Sequence, residues 1–425
     1  MERHDSGVEH KDAAPCGHYK NWPNAAGFNA TEIAGDTRHP IRLGLKGHIP
    51  AYAAGVLFDG FTTTHRFELT AVRDGVCDEI WYSSRCQVDE LLEQARNEGE
   101  TFNYNLAFGR IPAYRVFRMR PDGTTDILAE ISGNGVKPAY LHSLALTPNF
   151  VILCVWPAFF KSKGIDILWH RNLLDAMEFD PRARTKWYVV DRHHNRGVVK
   201  TFESPSFFCF HTTNAWEERA DDCGNVDLTC ELVEFPNMDI LHRFYCTNLV
   251  SDQPPIEATH KRHPHVKCSL VRYKLEGIPL QASAKRTKFS ATGKKTMAIS
   301  AGDLPQFNQQ SVFKPHRFVY SVLDRGESSF NDGLAKTDTA TGEIVVWEAL
   351  RHTPGEPVFI SKPESQGEDE GVILSVVLDG NRGQSYLLCL DARSFTEIGR
   401  AEVGTPVGFG FHGTHFPTKV GEARP

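Results

Sequence analysis

The chain has 425 residues, 40% of them hydrophobic and 24% charged, the proportions of a globular protein. A formal net charge of -6 with no broad basic face excludes a nucleic-acid binder, and no run of about 18 apolar residues is present to cross a membrane as a helix. The first residues, "MERHDSGVEHKDAAPCGHYK", have no apolar core, so a cytoplasmic protein without a secretory signal is expected.

In chain order, residues 1–20 read as a disordered tail, 21–417 as one domain and 418–425 as a second tail. The spacing of Val88, Leu91, Leu92 and Ala95 predicts one short N-terminal helix over 86–100. Almost everything after it reads as short strands. These include "FVILCVW" (150–156), "WYVVDR" (187–192), "VVKTFE" (198–203), "DLTCELVEF" (227–235), "SLVRYKLE" (269–276) and "FVYSVL" (318–323). "GEIVVWEA" (342–349), "PVFISK" (357–362), "GVILSVVLDG" (371–380) and "SYLLCLDA" (385–392) continue the series. Asp-, Asn- and Gly-bearing turns such as "RPDGTTD" and "LDGNRGQ" separate them. Two units, "LAKTDTATGEIVVWEA" and "LLCLDARSFTEIGRAEV", share the order strand, Asp, polar turn, Glu, strand. So many short strands with internal similarity predict an all-β fold, and a β-propeller rather than a sandwich. The stretches 252–267 and 283–295 read as polar loops.

Ten cysteines occur without a C-x-x-C pair, and Cys154, Cys209 and Cys389 sit inside apolar runs, as small buried thiols do. Most of the nineteen histidines lie in polar turns. His142 in "YLHSLAL", His211 in "FFCFHTT" and His412 in "GFGFHGTHFP" instead stand where strands start or stop inside apolar sequence. A buried neutral imidazole needs partners for both ring nitrogens. Two readings follow from the residues: three separate core histidines bonded to backbone, or three ligands converging on one divalent metal.

The motifs "FNYNLAFGRIPAYRVFRM", "YLHSLALTPNFVILCVW", "FFCFHTTNAWEE", "SSFNDGLAKTDTATGE", "PGEPVFISKPES", "EDEGVILSVVLD" and "GFHGTHF" together resemble the carotenoid cleavage oxygenase family. "ILWHRNLLDAMEFDPRARTKWYVVDR" and "LHRFY" resemble its fungal branch. The resemblance implies a seven-bladed β-propeller with Fe(2+) on its axis, held by four histidines that carboxylates orient from behind. On the matching motifs His142, His211 and His412 take the second, third and fourth ligand places. Glu356 and Asp303 fall where the supporting carboxylates stand, Asp303 with a shorter reach than the usual glutamate. The implied reaction is dioxygenase cleavage of a conjugated double bond of a carotenoid or apocarotenoid by O2, giving carbonyl products. A stilbene is the rival substrate, distinguished by its need for a buried polar partner.

The first ligand has no counterpart, because no histidine occurs between His65 and His142. The propeller is therefore expected to be incomplete, with strands missing around Leu57–Phe58 and Glu100–Thr101. Exposed edges and impaired activity are expected to follow. A non-catalytic propeller is the alternative that this loss favours. A metal-dependent lactonase ranks last, since its oxygen-rich site is not suggested by three imidazoles. The stretch "VWPAFFKSKG" (155–164) pairs aromatics with lysines and is expected to touch a membrane surface peripherally, where an apolar substrate would be met.

Overall fold

In a computed structural model of the chain, the described residues are 22–28, 40–60, 64–70, 75–85, 100–133, 135–220, 224–249, 261–264, 266–281 and 291–417. Both predicted tails, the expected helix apart from Glu100, and most of the 252–267 and 283–295 loops lie outside them.

The apolar runs become central strands. Phe150–Val155 is buried at every residue and sits between Ala145–Leu146 and Thr185–Asp191. Gly371–Asp379, also buried throughout, pairs with Gln384–Asp391 on one side and with His352–Pro354 and Val358–Ser361 on the other. Strands buried on both faces need no alternation, which is why these segments read as continuous hydrophobic stretches. The described strands form six sheets of three or more strands, plus a two-stranded ribbon of Ala158–Phe160 with Met177–Phe179. Most are meanders of strands nearly consecutive in sequence, as propeller blades are. Among the described residues there are thus six blade-sized sheets, where the resemblance implies seven blades.

The ring is closed by its ends. Gly413–Pro417 pairs with Gly55–Gly60, and Gly44–Gly47 pairs with Glu397–Glu402, so early and late strands complete the same two sheets. The expected break at Leu57–Phe58 falls inside the continuous strand Gly55–Gly60, which is paired on both sides. Thr101–Ala107, at the other expected break, is an edge strand that pairs only with Ala113–Met119 among the described residues. The two similar units are hairpins, Gly333–Asp338 with Ile344–Trp347 at a sheet edge, and Gln384–Asp391 with Glu397–Glu402, flanked by Gly44–Gly47. Their shared aspartates do the same work. Asp338 accepts the N–H of Ala340, and Asp391 those of Arg393 and Ser394, so each carboxylate caps its turn.

Cys154, Cys209 and Cys389 are buried, and burial drives each thiol upward. His65 is only 4% exposed and its Nδ1 lies 3.0 Å from the Tyr82 hydroxyl. Burial pushes this imidazole down to about 4, so the folded chain holds it neutral. The unfolded chain protonates it near pH 6.5, so its contribution is complete above that value and is lost progressively as pH falls toward 4. Between pH 7 and pH 5 the loss from this residue is about 2 kcal/mol. Denaturant titrations at both pH values should show a drop that is smaller in His65→Phe by about that amount; an unchanged drop would mean that His65 is not the titrating group.

Candidate metal centre

His142 belongs to no strand. It lies in the segment between the isolated bridge at Ala139 and the strand Ala145–Leu146. His211 lies inside the long strand Phe208–Arg219, within the first of two slips in its pairing with Asn225–Phe235, the one between Cys209 and Thr212. His412 immediately precedes Gly413–Pro417, the strand that closes the ring. From these remote positions the three imidazoles converge, their ligand atoms all within 4.8 Å of one another. The ring centroids are 5.1 Å apart for His142 and His211, 5.1 Å for His211 and His412, and 6.1 Å for His142 and His412. Nitrogen ligands stand about 2.0–2.1 Å from a first-row divalent ion, so trans donors are at most ~4.2 Å apart. Small side-chain rotations would be needed for the three to reach one ion. The donor set, neutral imidazoles without thiolate, suits iron, copper, nickel or zinc rather than calcium or magnesium.

Each histidine is held by neighbours. His211 Nδ1 is 2.8 Å from Asp303 Oδ1, which fixes its tautomer and leaves Nε2 as the donor atom. His412 Nδ1 is 3.6 Å from Glu356 Oε1, beyond direct hydrogen-bond reach. Glu356 positions the segment through the backbone instead, accepting the N–H of Gly413 at 2.6 Å while Gln306 donates to its other oxygen at 3.0 Å. His142 has no carboxylate behind it; its Nδ1 is 3.1 Å from the Tyr140 hydroxyl. Burial, reinforced by the charges that His211 and His412 would carry, pushes His142 down to about 4, which keeps its lone pair available at neutral pH.

Ser143 ties two of the ligand segments together. Its hydroxyl donates to the carbonyl of Phe210 at 2.7 Å and accepts the N–H of Thr212 at 3.0 Å, spanning His211 on the neighbouring strand. Tyr140, Ser143 and Gln306 went unread in the sequence. The i, i+2 spacing of Tyr140 and His142 on extended backbone was the one available signal, since it places both on one side.

The histidines line a cavity of about 230 Å³ whose apolar walls include Phe210, Phe244, Leu304, Phe330 and Phe411. His65, the only histidine near the missing ligand place in sequence, is engaged with Tyr82 and does not join the cluster. No fourth histidine joins it among the described residues.

Residues 94–417 match the family described as retinal pigment epithelial membrane protein. A torulene dioxygenase of Gibberella fujikuroi is 31% identical, with 94% of each chain covered. That match extends over 553 residues, more than the 425 of this chain, so the relative carries internal segments that this chain lacks. A carotenoid dioxygenase of Neurospora crassa is 40% identical over 333 residues, 75% of this chain and 54% of that protein. Among solved structures, an apocarotenoid oxygenase of Synechocystis carrying a point substitution superposes with a TM-score of 0.71 at 14% identity, covering 94% of this chain and all of that one.

Removing the carboxylate behind His211 should weaken metal binding by about 10–100-fold. Anaerobic titration of Asp303→Ala with ferrous ion measures this, and unchanged affinity would show that His211 needs no orienting partner. The family match over residues 94–417 and the 31% identity to a relative covered over 94% of each chain place this chain in the carotenoid oxygenase family.

Proposed function

We propose that this chain is a non-haem, iron-dependent dioxygenase that cleaves a conjugated double bond of a carotenoid or apocarotenoid. The observation that carries the reading is the meeting of His142, His211 and His412 at the wall of an apolar cavity. When bound, a ferrous ion would supply the redox chemistry by which one O2 is divided between the two carbons of a double bond, leaving two carbonyls. The protein residues hold and position. Asp303 and Tyr140 orient His211 and His142 through their far nitrogens, and Glu356 and Gln306 anchor the segment of His412. Phe210, Phe244, Phe330 and Phe411 exclude water and give a polyene flat apolar surfaces along which to align. No side chain in this arrangement has to act as nucleophile or general base.

A second reading, a propeller that binds apolar molecules without cleaving them, is favoured by one observation: three histidines meet where the resemblance implies four. Iron stoichiometry after anaerobic reconstitution separates the two. Near one ferrous ion per chain, lost in His142→Ala, His211→Ala and His412→Ala, supports the dioxygenase. A folded chain that takes up no iron overturns it and leaves the non-catalytic reading.

Access to a carotenoid requires contact with lipid. The aromatics expected to provide it, Phe159 and Phe160, are half-buried and buried. The exposed apolar groups come just afterwards. Ile165, Leu168 and Trp169 stand on the short helix Ile165–His170, with Leu168 80% and Trp169 86% exposed. Phe108 packs on Gly164, and Lys163 donates to the carbonyl of Arg110, which brings the exposed Phe108 and Ile111 alongside. An exposed apolar patch of this kind beside Lys161 and Lys163 fits an interfacial contact. No helix of the described residues is long and apolar enough to cross a membrane. Leu168→Ser/Trp169→Ser should reduce co-sedimentation with anionic phospholipid vesicles several-fold and leave the metal content unchanged; equal sedimentation would remove the patch from the membrane contact.

A further inference from the structure

A second chamber of about 250 Å³ adjoins the one at the histidines, and the two share Phe244, Asp303, Val322, Phe330 and Asn331 as walls. Most polar groups around the second chamber are already engaged. Ser329 donates to the carbonyl of Leu249 at 2.8 Å, Cys268 to that of Ala301 at 3.2 Å and Asn331 to that of Pro354 at 3.4 Å. Arg325 is bound to Asp332 at 3.0 Å.

Arg243 differs. It ends the short helix Asp239–Arg243, lines the chamber and is only 4% exposed. Its Nη1 is 2.9 Å from Asp324 Oδ2, but its buried Nη2 has no hydrogen-bond partner among the described residues. A guanidinium only donates, so this nitrogen calls for an acceptor oxygen from a ligand. Buried donors left unpaired are costly, and sites built around one discriminate strongly against ligands that cannot satisfy it.

We propose that Arg243 recognises the oxygen-bearing end of the conjugated substrate, the ligand being an apocarotenoid aldehyde whose chain extends from the three histidines into the second chamber. The inference rests on the carotenoid-cleaving reading above and adds to it a residue that selects the end group. Asp324 decides between the oxygenated ends. Its carboxylate already balances the guanidinium, so a neutral carbonyl is accepted, whereas a carboxylate end would face like charge; Lys267, also on the chamber's lining, is solvent-exposed, so its charge is screened. A hydrocarbon end leaves Nη2 unsatisfied.

The test measures dissociation constants by quenching of tryptophan fluorescence, using the full chain reconstituted with ferrous ion and kept anaerobic. The probes are an apocarotenal, the corresponding carboxylic acid and a hydrocarbon polyene of matched conjugated length. The aldehyde should bind about tenfold more tightly than either of the others. Arg243→Met should abolish that preference and leave hydrocarbon affinity unchanged. Because it strands Asp324 without its partner, Arg243→Met/Asp324→Leu, which removes both charges, is measured beside it. Equal binding of aldehyde and hydrocarbon by the unmodified chain, tighter binding of the acid, or a preference that survives in both variants would overturn the inference while leaving the carotenoid reading intact. Failure to bind any of the three polyenes would sink that reading, and this inference with it.

Discussion

Three neutral imidazoles cannot hold one another in place. They share no attraction, and at His142 burial, followed by the charges that His211 and His412 would carry, disfavours protonation. Their convergence therefore depends on what stands behind them, and much of that support comes from one irregular strand, Asp303–Gln306. Asp303 lies opposite Val322 and Gln306 opposite Tyr320, so three residues on one side advance as far as two on the other. In a regular strand, positions three apart face opposite sides. The slip brings Asp303 and Gln306 to the same side, where one supports His211 and the other reaches Glu356 beside His412. Leu304, between them, has φ +52, a conformation a leucine adopts only when its surroundings impose it. Local backbone strain is thus tied to the residues that orient the centre.

The third of these histidines connects the cluster to the closure of the ring. His412 precedes the strand Gly413–Pro417, whose pairing with Gly55–Gly60 joins the end of the domain to its beginning. Glu356 accepts the N–H of Gly413, the first residue of that closing strand, so the carboxylate serves closure and ligand placement together. An ion bridging His142, His211 and His412 would link three separate sheet regions, and its binding energy would add to the stability of the closed ring.

Much of this was legible in the sequence, and for identifiable reasons. Strands such as Phe150–Val155 and Gly371–Asp379 are buried on both faces, so their apolar runs announce them. His142, His211 and His412 stood out because an imidazole in such surroundings breaks the local pattern. Asp303 and Glu356 followed from the family resemblance. What could not be read were supports that act across chain separations with no periodic mark: Ser143 reaching Phe210 and Thr212, Gln306 reaching Glu356, and Arg243 meeting Asp324. The exposed aromatics were also misplaced, because Phe159 and Phe160 occupy a paired ribbon strand while the helix after it turns Leu168 and Trp169 outward. Sequence alternation could not distinguish a short ribbon from a protruding segment.

The three histidines all lie within residues 94–417, the part of the chain that matches the family, and they converge there. The strand Gly55–Gly60 continues one pairing register with Thr64–Thr70 on one side and Gly413–Pro417 on the other, without interruption at Leu57–Phe58. The edge at Thr101–Ala107 is a different outcome, with one side of the strand unpaired among the described residues. The hydrogen bonds around Ser143 and the slip at Asp303 involve no residue of that edge. Under the iron-dependent reading proposed above, three imidazoles would hold the ion where the resemblance implies four, so metal affinity is where that difference would be felt.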